Sequence, residues 1–264
     1  MTLAEIDARA QEVVERLGKA PAGVRGALEA KLDISWIYHD NALEGLVLTF
    51  GELKAATDAR IISDSTLIPA YDDIRNHRDA IALVREMSAK RKAAITLETL
   101  KKIHEVLMPD LEATEGKYRK DHPIHRQYFH EIASPDKISY KMRRLIDWVA
   151  GDEARIEQPV RRATKVHLRL MQIFPWSKNS GKIARLIMNL MLLRDGYPPA
   201  IIHAIDRQRY YESLRLPPGA QDEEDDDGAE ALLALVVEAL RAGFDSALRF
   251  VDEAKEQKRR ARVA

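Results

Sequence analysis

The sequence predicts an all-α bundle carrying one small β-hairpin. Three observations support this. Apolar residues recur at helical spacing through residues 3–17, 26–44, 71–90, 96–108, 137–151, 161–174, 181–195, 207–215 and 229–254. Strand-type alternation is scarce, and its best candidate is the polar and aromatic stretch YRKDHPIHRQYFHEI, residues 118–132. Helix start and stop signals fall at the edges of the periodic stretches.

Taken in order, residues 3–17 form a charged amphipathic stretch, which is neither a signal peptide nor a membrane span. Residues 26–44 and 71–90 give two further helices. Thr96, followed by Glu98 and Thr99, opens the helix of residues 96–108. The hairpin at 118–132 separates it from the helices of residues 137–151 and 161–174. In residues 181–195, Ile183, Leu186, Ile187 and Leu190 make one buried face. Gly196, then Pro198 and Pro199, end that helix, because glycine takes a left-handed cap and proline cannot continue it. After residues 207–215 comes LPPGAQDEEDDDGAE, residues 216–230, a linker whose acid block repels itself and stays solvated. A last helix follows, its basic tail AKEQKRRARVA suited to the negative end of the helix dipole. The organisation expected is an N-terminal helical arm at 1–69, a core at 70–215, and a linker with C-terminal helix at 216–264.

Composition bounds the function. Hydrophobic residues are 45% and charged residues 32% of 264, which suits a soluble globular protein. The formal net charge is zero, so no bulk attraction to nucleic acid or membrane is expected. There is no cysteine, which excludes disulfides, thiolate metal sites and cysteine nucleophiles. A cytoplasmic location is the expectation.

The chemistry concentrates in FPWSKNSGKIAR, residues 174–185. Pro175 and Trp176 leave one helix, and Asn179, Ser180 and Gly181 lead into the next. Free N–H groups at a helix start bind anions, and small residues let a phosphate approach the backbone. Lys178 lies in the loop, and Lys182 and Arg185 are three apart on the first turn, so three cations are expected to converge. Spacing alone is a weak signal, equally read as solvated charges beside a serine cap.

At this point the chain resembles the Fic (Fido) family, whose motif is HPFx(D/E)GNGRxxR. EGKYRKDHPIH is similar to the family's G-x-Y-R stretch and the hairpin, or flap, that holds a target segment. DDIRNHRDAI, LLRDGYPPAII and DRQRYYESL resemble elements around the motif, and NALEGLVLT resembles the inhibitory helix (S/T)xxxE(G/N) of self-restrained members. The resemblance implies a Fic-type helical bundle and a scaffold for transfer of AMP from ATP to a protein hydroxyl. It also implies ATP or another nucleotide as ligand, a protein partner at the flap, and a homodimer.

The departures from the motif change what is implied. The family histidine, the general base, is Phe174 here. The family acid that holds Mg²⁺ is Lys178, so Mg²⁺ is not expected and no metal ligand is assigned. Asn179 and Ser180 replace glycine and asparagine, Gly181 is kept, Lys182 replaces the first arginine, and Arg185 is the second. Loss of a general base alone removes on the order of 10²–10⁴-fold in rate, and loss of the metal ligand removes charge neutralisation at the transferred phosphate. Glu44 matches the inhibitory glutamate that pairs with the second arginine, and Asp40 stands where the element has Ser or Thr.

Three functions remain open on the sequence. The first is a degenerate Fic protein that binds a nucleotide or other phosphorylated ligand at Lys178, Asn179, Ser180, Gly181, Lys182 and Arg185 in a regulatory role. The second is a transferase or lyase of altered chemistry whose base comes from elsewhere, with the catalytic residue unknown. The third is a non-catalytic interaction module. His122, His125 and His130 in the flap are read as polar surface residues, with metal binding or a replacement base as the alternatives. His104 is read as structural, His203 is given no chemistry, Tyr210 and Tyr211 are read as core, and Trp176 as a staple between loop and body.

Overall fold

The computed structural model describes residues 2–57, 68–109, 117–123, 130–215 and 229–263. Its helices in chain order are α1 Leu3–Gly18, α2 Ala22–Leu43, α3 Phe50–Thr57, α4 Ile68–Ala89, α5 Leu97–Leu107 and α6 Ile138–Ala150. They continue with α7 Asp152–Ile156, α8 Pro159–Ile173, α9 Ser180–Arg194, α10 Arg207–Ser213 and α11 Ala229–Val263.

Helix α9 is the central rod. Every residue from Ser180 to Leu192 is buried, as expected of a helix enclosed on all sides. Helices α8, α4 and α5 pack around it, α2 packs on α4, and α11 lies across α8, α1 and α2. One continuous apolar core includes Ile6 and Val13 of α1, Trp36 and Ile37 of α2, Ile183 and Leu186 of α9, and Leu232 and Phe244 of α11.

The chain ends its helices with the expected chemistry. A Thr2–Glu5 capping box opens α1, and the Thr96 side chain accepts from the Thr99 N–H at the start of α5. At the end of α9, Gly196 takes φ +90. Its N–H donates to Leu193 C=O at 3.2 Å, and the Tyr197 N–H donates to Leu192 C=O at 2.9 Å. That left-handed turn redirects the chain so that Asn189 can hold the returning strand of loop. The Asn189 carboxamide accepts from the Ala200 N–H at 2.8 Å and donates to the Ala200 C=O at 3.3 Å, all of it buried.

The structure differs from the sequence expectation at three points. Helix α2 starts at Ala22, earlier than residue 26, and α11 runs to Val263, beyond residue 254. Helices α3 and α7 were not anticipated. The third difference concerns the hairpin, for the described residues contain no strand. The flanks of the expected hairpin bond instead to the end of α8 and the turn after it. The Arg119 N–H donates to Pro175 C=O at 2.9 Å and the Ala133 N–H to Gln172 C=O at 2.8 Å. Residues 124–129, with His125, and the acid block at 222–227 lie outside the described residues.

Asn189→Ala strips two buried backbone groups of Ala200 of their partners. Urea unfolding is expected to show a loss of about 2–3 kcal/mol, and an unchanged midpoint would contradict the clamp.

Candidate functional site

The α8–α9 turn is built by satisfying the carbonyls that α8 leaves open at its end. Phe174 adopts a left-handed conformation, φ 47 and ψ 63, and its N–H donates to Leu170 C=O at 2.8 Å. A bulky residue is strained in this region. Arg119 holds it there: its Nε donates to Phe174 C=O at 2.7 Å and its Nη2 to Ile173 C=O at 3.3 Å. The same guanidinium donates to the carbonyls of Asp121 and Ala133. His130 Nε2 lies 2.9 Å from Met171 C=O. The Phe174 ring is 1% exposed and meets His130 edge-on. The site therefore presents hydrocarbon at this position.

The rest of the turn is stapled. The Ser180 hydroxyl accepts from the Trp176 N–H at 2.8 Å and donates to Trp176 C=O at 2.7 Å. The Trp176 indole stacks on His104, with ring centres 4.8 Å apart and planes 17° apart. This is the staple and the structural histidine that the sequence suggested. Asn179 enters α9 with φ 60, a region that asparagine tolerates.

Arg185 is the centre of the site. It is 1% exposed. Its Nε donates to Asp40 Oδ1 at 2.9 Å, its Nη2 to Glu44 Oε1 at 2.9 Å, and its Nη1 to the Tyr210 hydroxyl at 3.2 Å. Asp40, also buried, accepts from Trp36 Nε1 at 3.2 Å through Oδ2, and His77 Nε2 lies 3.4 Å from the same oxygen. Burial would raise the Asp40 pKa, but Arg185 and His77 outweigh it and hold the carboxyl below its usual range. Burial would likewise lower the Arg185 pKa, but Asp40, Tyr210 and Glu44 raise it well above the usual value. Tyr211 and Arg207 both donate to Leu43 C=O, at 3.1 and 2.9 Å, and so cap α2 where it delivers Glu44.

The Glu44 carboxylate sits against the start of α9. A Cβ built on Gly181 would overlap it, so a larger residue here would displace the Glu44 carboxylate. Lys182 is 5% exposed, and among the described residues none hydrogen-bonds or ion-pairs with it. Burial pushes its pKa down, against the pull of Glu44, Asp73 and Asp40.

The structure thus gathers Gly181, Lys182, Arg185 and Glu44 in one place. It turns Ser180 to Trp176, buries Lys182 and Arg185, and leaves Lys178 exposed in the turn two residues before α9. Tyr210 bridges Arg185 and His167, whose Nε2 is 3.0 Å from its hydroxyl. His122 is exposed, and His203 stacks on His39 with centres 4.3 Å apart. No cluster of His, Asp and Glu among the described residues is arranged to hold a metal ion. No described helix is long and apolar enough to cross a membrane. A cavity of about 820 Å³ lies elsewhere, between α6, α7 and α8, and is lined by Lys141, Arg144, Trp148 and Arg169 among others.

Sequence reasoning missed Arg119, His77 and His167 as site-building residues. It noticed Asp40 only as a departure from a motif. The usable signal was spacing: Asp40 in the last turn of α2 and Glu44 at its C-cap are four residues apart and lie on one side.

With this geometry in place, residues 94–192 match the model of the Fic/DOC family. Over this stretch the chain is similar to that family. It is similar to the protein adenylyltransferase Fic of Nematostella vectensis, 28% identical over 179 residues, covering 67% of this chain and 42% of that protein. A Culex quinquefasciatus protein of the same name is 28% identical over 198 residues, covering 74% of this chain and 39% of that one. The chain spans about two fifths of the length of these curated relatives. Among solved structures, a Fic domain containing signaling protein of Bacteroides thetaiotaomicron superposes with a TM-score of 0.76. It is 21% identical and covers 93% of this chain and 97% of that one, a likeness of fold.

Burial pushes the pKa of His104 down to about 4 and that of His167 down to about 3. Both stay neutral in the fold, whereas the unfolded chain binds a proton at each near pH 6.5. Stability from this source is intact above about pH 6.5 and is lost as pH falls towards those values. Calorimetric melting at pH 7 and pH 5 is expected to differ by about 1–2 kcal/mol for each histidine. Equal stability at the two pH values would show that neither is held neutral.

Proposed function

We propose that this protein is a Fic-family member without AMP-transfer activity, binding a nucleotide or other phosphorylated ligand without metal in a regulatory role. The relatives named above carry the name adenylyltransferase, and AMP transfer needs a base for the attacking hydroxyl. On the register read from the sequence, Phe174 occupies the place of that base, and a phenyl ring accepts no proton. Lys178 occupies the place of the metal-holding acid, and an ammonium cannot ligate a hard cation.

What remains is a cradle. The first N–H groups of α9, the space over Gly181, and the Nη2 edge of Arg185 all suit an anion. The observation that carries the reading is the seat of Glu44. A carboxylate of the chain's own α2 already lies over Gly181, bonded to Arg185 at 2.9 Å. A site that accepts one oxyanion accepts another of similar shape, and Glu44 then acts as a competitor built into the fold. A protein partner at residues 118–132 and a homodimer belong to the same proposal as expectations from the family.

Two experiments test it. ATP labelled at the α-phosphate, with Mg²⁺, is expected to leave no label on this protein or on added protein acceptors, and incorporation at a rate typical of an active transferase would overturn the reading. By calorimetry without metal, Glu44→Gly is expected to bind adenosine nucleotides about tenfold or more tightly than the wild type, since a competing internal anion is gone. Adding Gly181→Ala to that variant puts a methyl group into the vacated space and is expected to abolish the gain. Equal affinity in all three proteins would remove the site.

A further inference from the structure

This inference rests on the reading above and narrows its ligand. We propose that Asp40 restricts the site to a phosphomonoester, such as a nucleoside monophosphate or a phosphorylated side chain, and that charge keeps polyphosphates out.

The two carboxylates on Arg185 are not equivalent. Asp40 lies inside α2, buried, and bonded on both oxygens, to Arg185 Nε and to Trp36 Nε1. Moving it would break α2 away from α9. Glu44 lies just past the helix, its side chain is 18% exposed, and the next residue is Gly45 with φ +95. It can swing out on a hinge that glycine permits. Asp40 is thus the permanent partner of Arg185, and Glu44 the exchangeable one.

The charges then set a limit. Two cations, Arg185 and Lys182, face two anions, Asp40 and Glu44. His77 adds no charge, because burial lowers its pKa. Tyr210 stays neutral, its pKa raised by burial, and at the rim the exposed Asp73, which pulls on Lys182, is offset by Arg207 at Leu43 C=O. When Glu44 leaves, one negative charge can enter with the balance kept. A second is answered by the exposed ammonium of Lys178, two residues before α9. A third and fourth exceed this balance, and an uncompensated charge in a buried site is strongly disfavoured. A site with one arginine committed to an internal aspartate lacks the positive charge that a triphosphate needs without metal.

The test is calorimetry in metal-free buffer with AMP, ADP, ATP and inorganic phosphate, on the wild type, Glu44→Gly, Asp40→Asn and Lys178→Gln. AMP is expected to bind about tenfold more tightly than ATP, with ADP between, on the wild type and on Glu44→Gly. Asp40→Asn adds one positive charge to the site and is expected to shift the preference towards ADP and ATP. Because Asp40 is buried and its variant can fail to fold, Lys178→Gln provides the second arm. It changes an exposed side chain and is expected to weaken AMP several-fold while leaving the melting temperature in place. ATP binding as tightly as AMP, or Lys178→Gln leaving AMP affinity unchanged, overturns this inference and leaves the nucleotide site standing. Failure of every nucleotide to bind, to the wild type and to Glu44→Gly alike, overturns the reading itself and this inference with it.

Discussion

A single buried guanidinium organises the molecule. Arg185 projects from the central helix, and it can be buried only because α2 brings two carboxylates to it and α10 brings a phenol. A buried ion pair is not a strong source of net stability, since desolvation offsets much of the attraction. Its effect is to fix geometry. With either partner missing, the other is left charged in the core, so α2, α9 and α10 have one arrangement that satisfies all three. The position of Glu44 over Gly181 follows from that arrangement.

The second constraint is the end of α8. Its last carbonyls point at the loop where chemistry would occur, and they are met by Arg119, His130 and the backbone of Ala133. This satisfies the buried polar groups without a strand ladder. It also holds Phe174 in a backbone conformation suited to a side chain that must face a site. Arg119 therefore fixes the turn around a residue with no acid–base chemistry.

Much of the helix plan was legible in the sequence, because α4, α5, α6, α8 and α9 bury a periodic apolar face or stand between clear caps. Legibility failed for physical reasons elsewhere. Gly23 and Gly26 near the start of α2 hide a helix that packing supports. Helix α7 is a single turn of five residues, cut from α6 by Gly151 alone, too short to show a period. At the site, Gly181, Arg185 and Glu44 could be paired from the resemblance to a family motif. The inward turn of Lys182 and the outward turn of Lys178 could not, since both are lysines beside a helix start and only packing separates them. The role of Asp40 was hidden because it needs His77 and Trp36, one from α4 and one a turn earlier on α2, to make a buried aspartate tolerable.

The pairing of Asp40 with Arg185 spans 145 positions of the chain. Neither side chain's ion pairs lie within its own helix. Closing so long a separation costs chain entropy that only the completed core repays. The Arg185–Asp40–Glu44 cluster is therefore a late feature of folding, absent from any partly assembled chain in which α9 has formed its bundle but α2 has not yet docked. During synthesis from the N-terminus, α2 emerges long before its partner and must wait with a carboxylate on the face it will later bury.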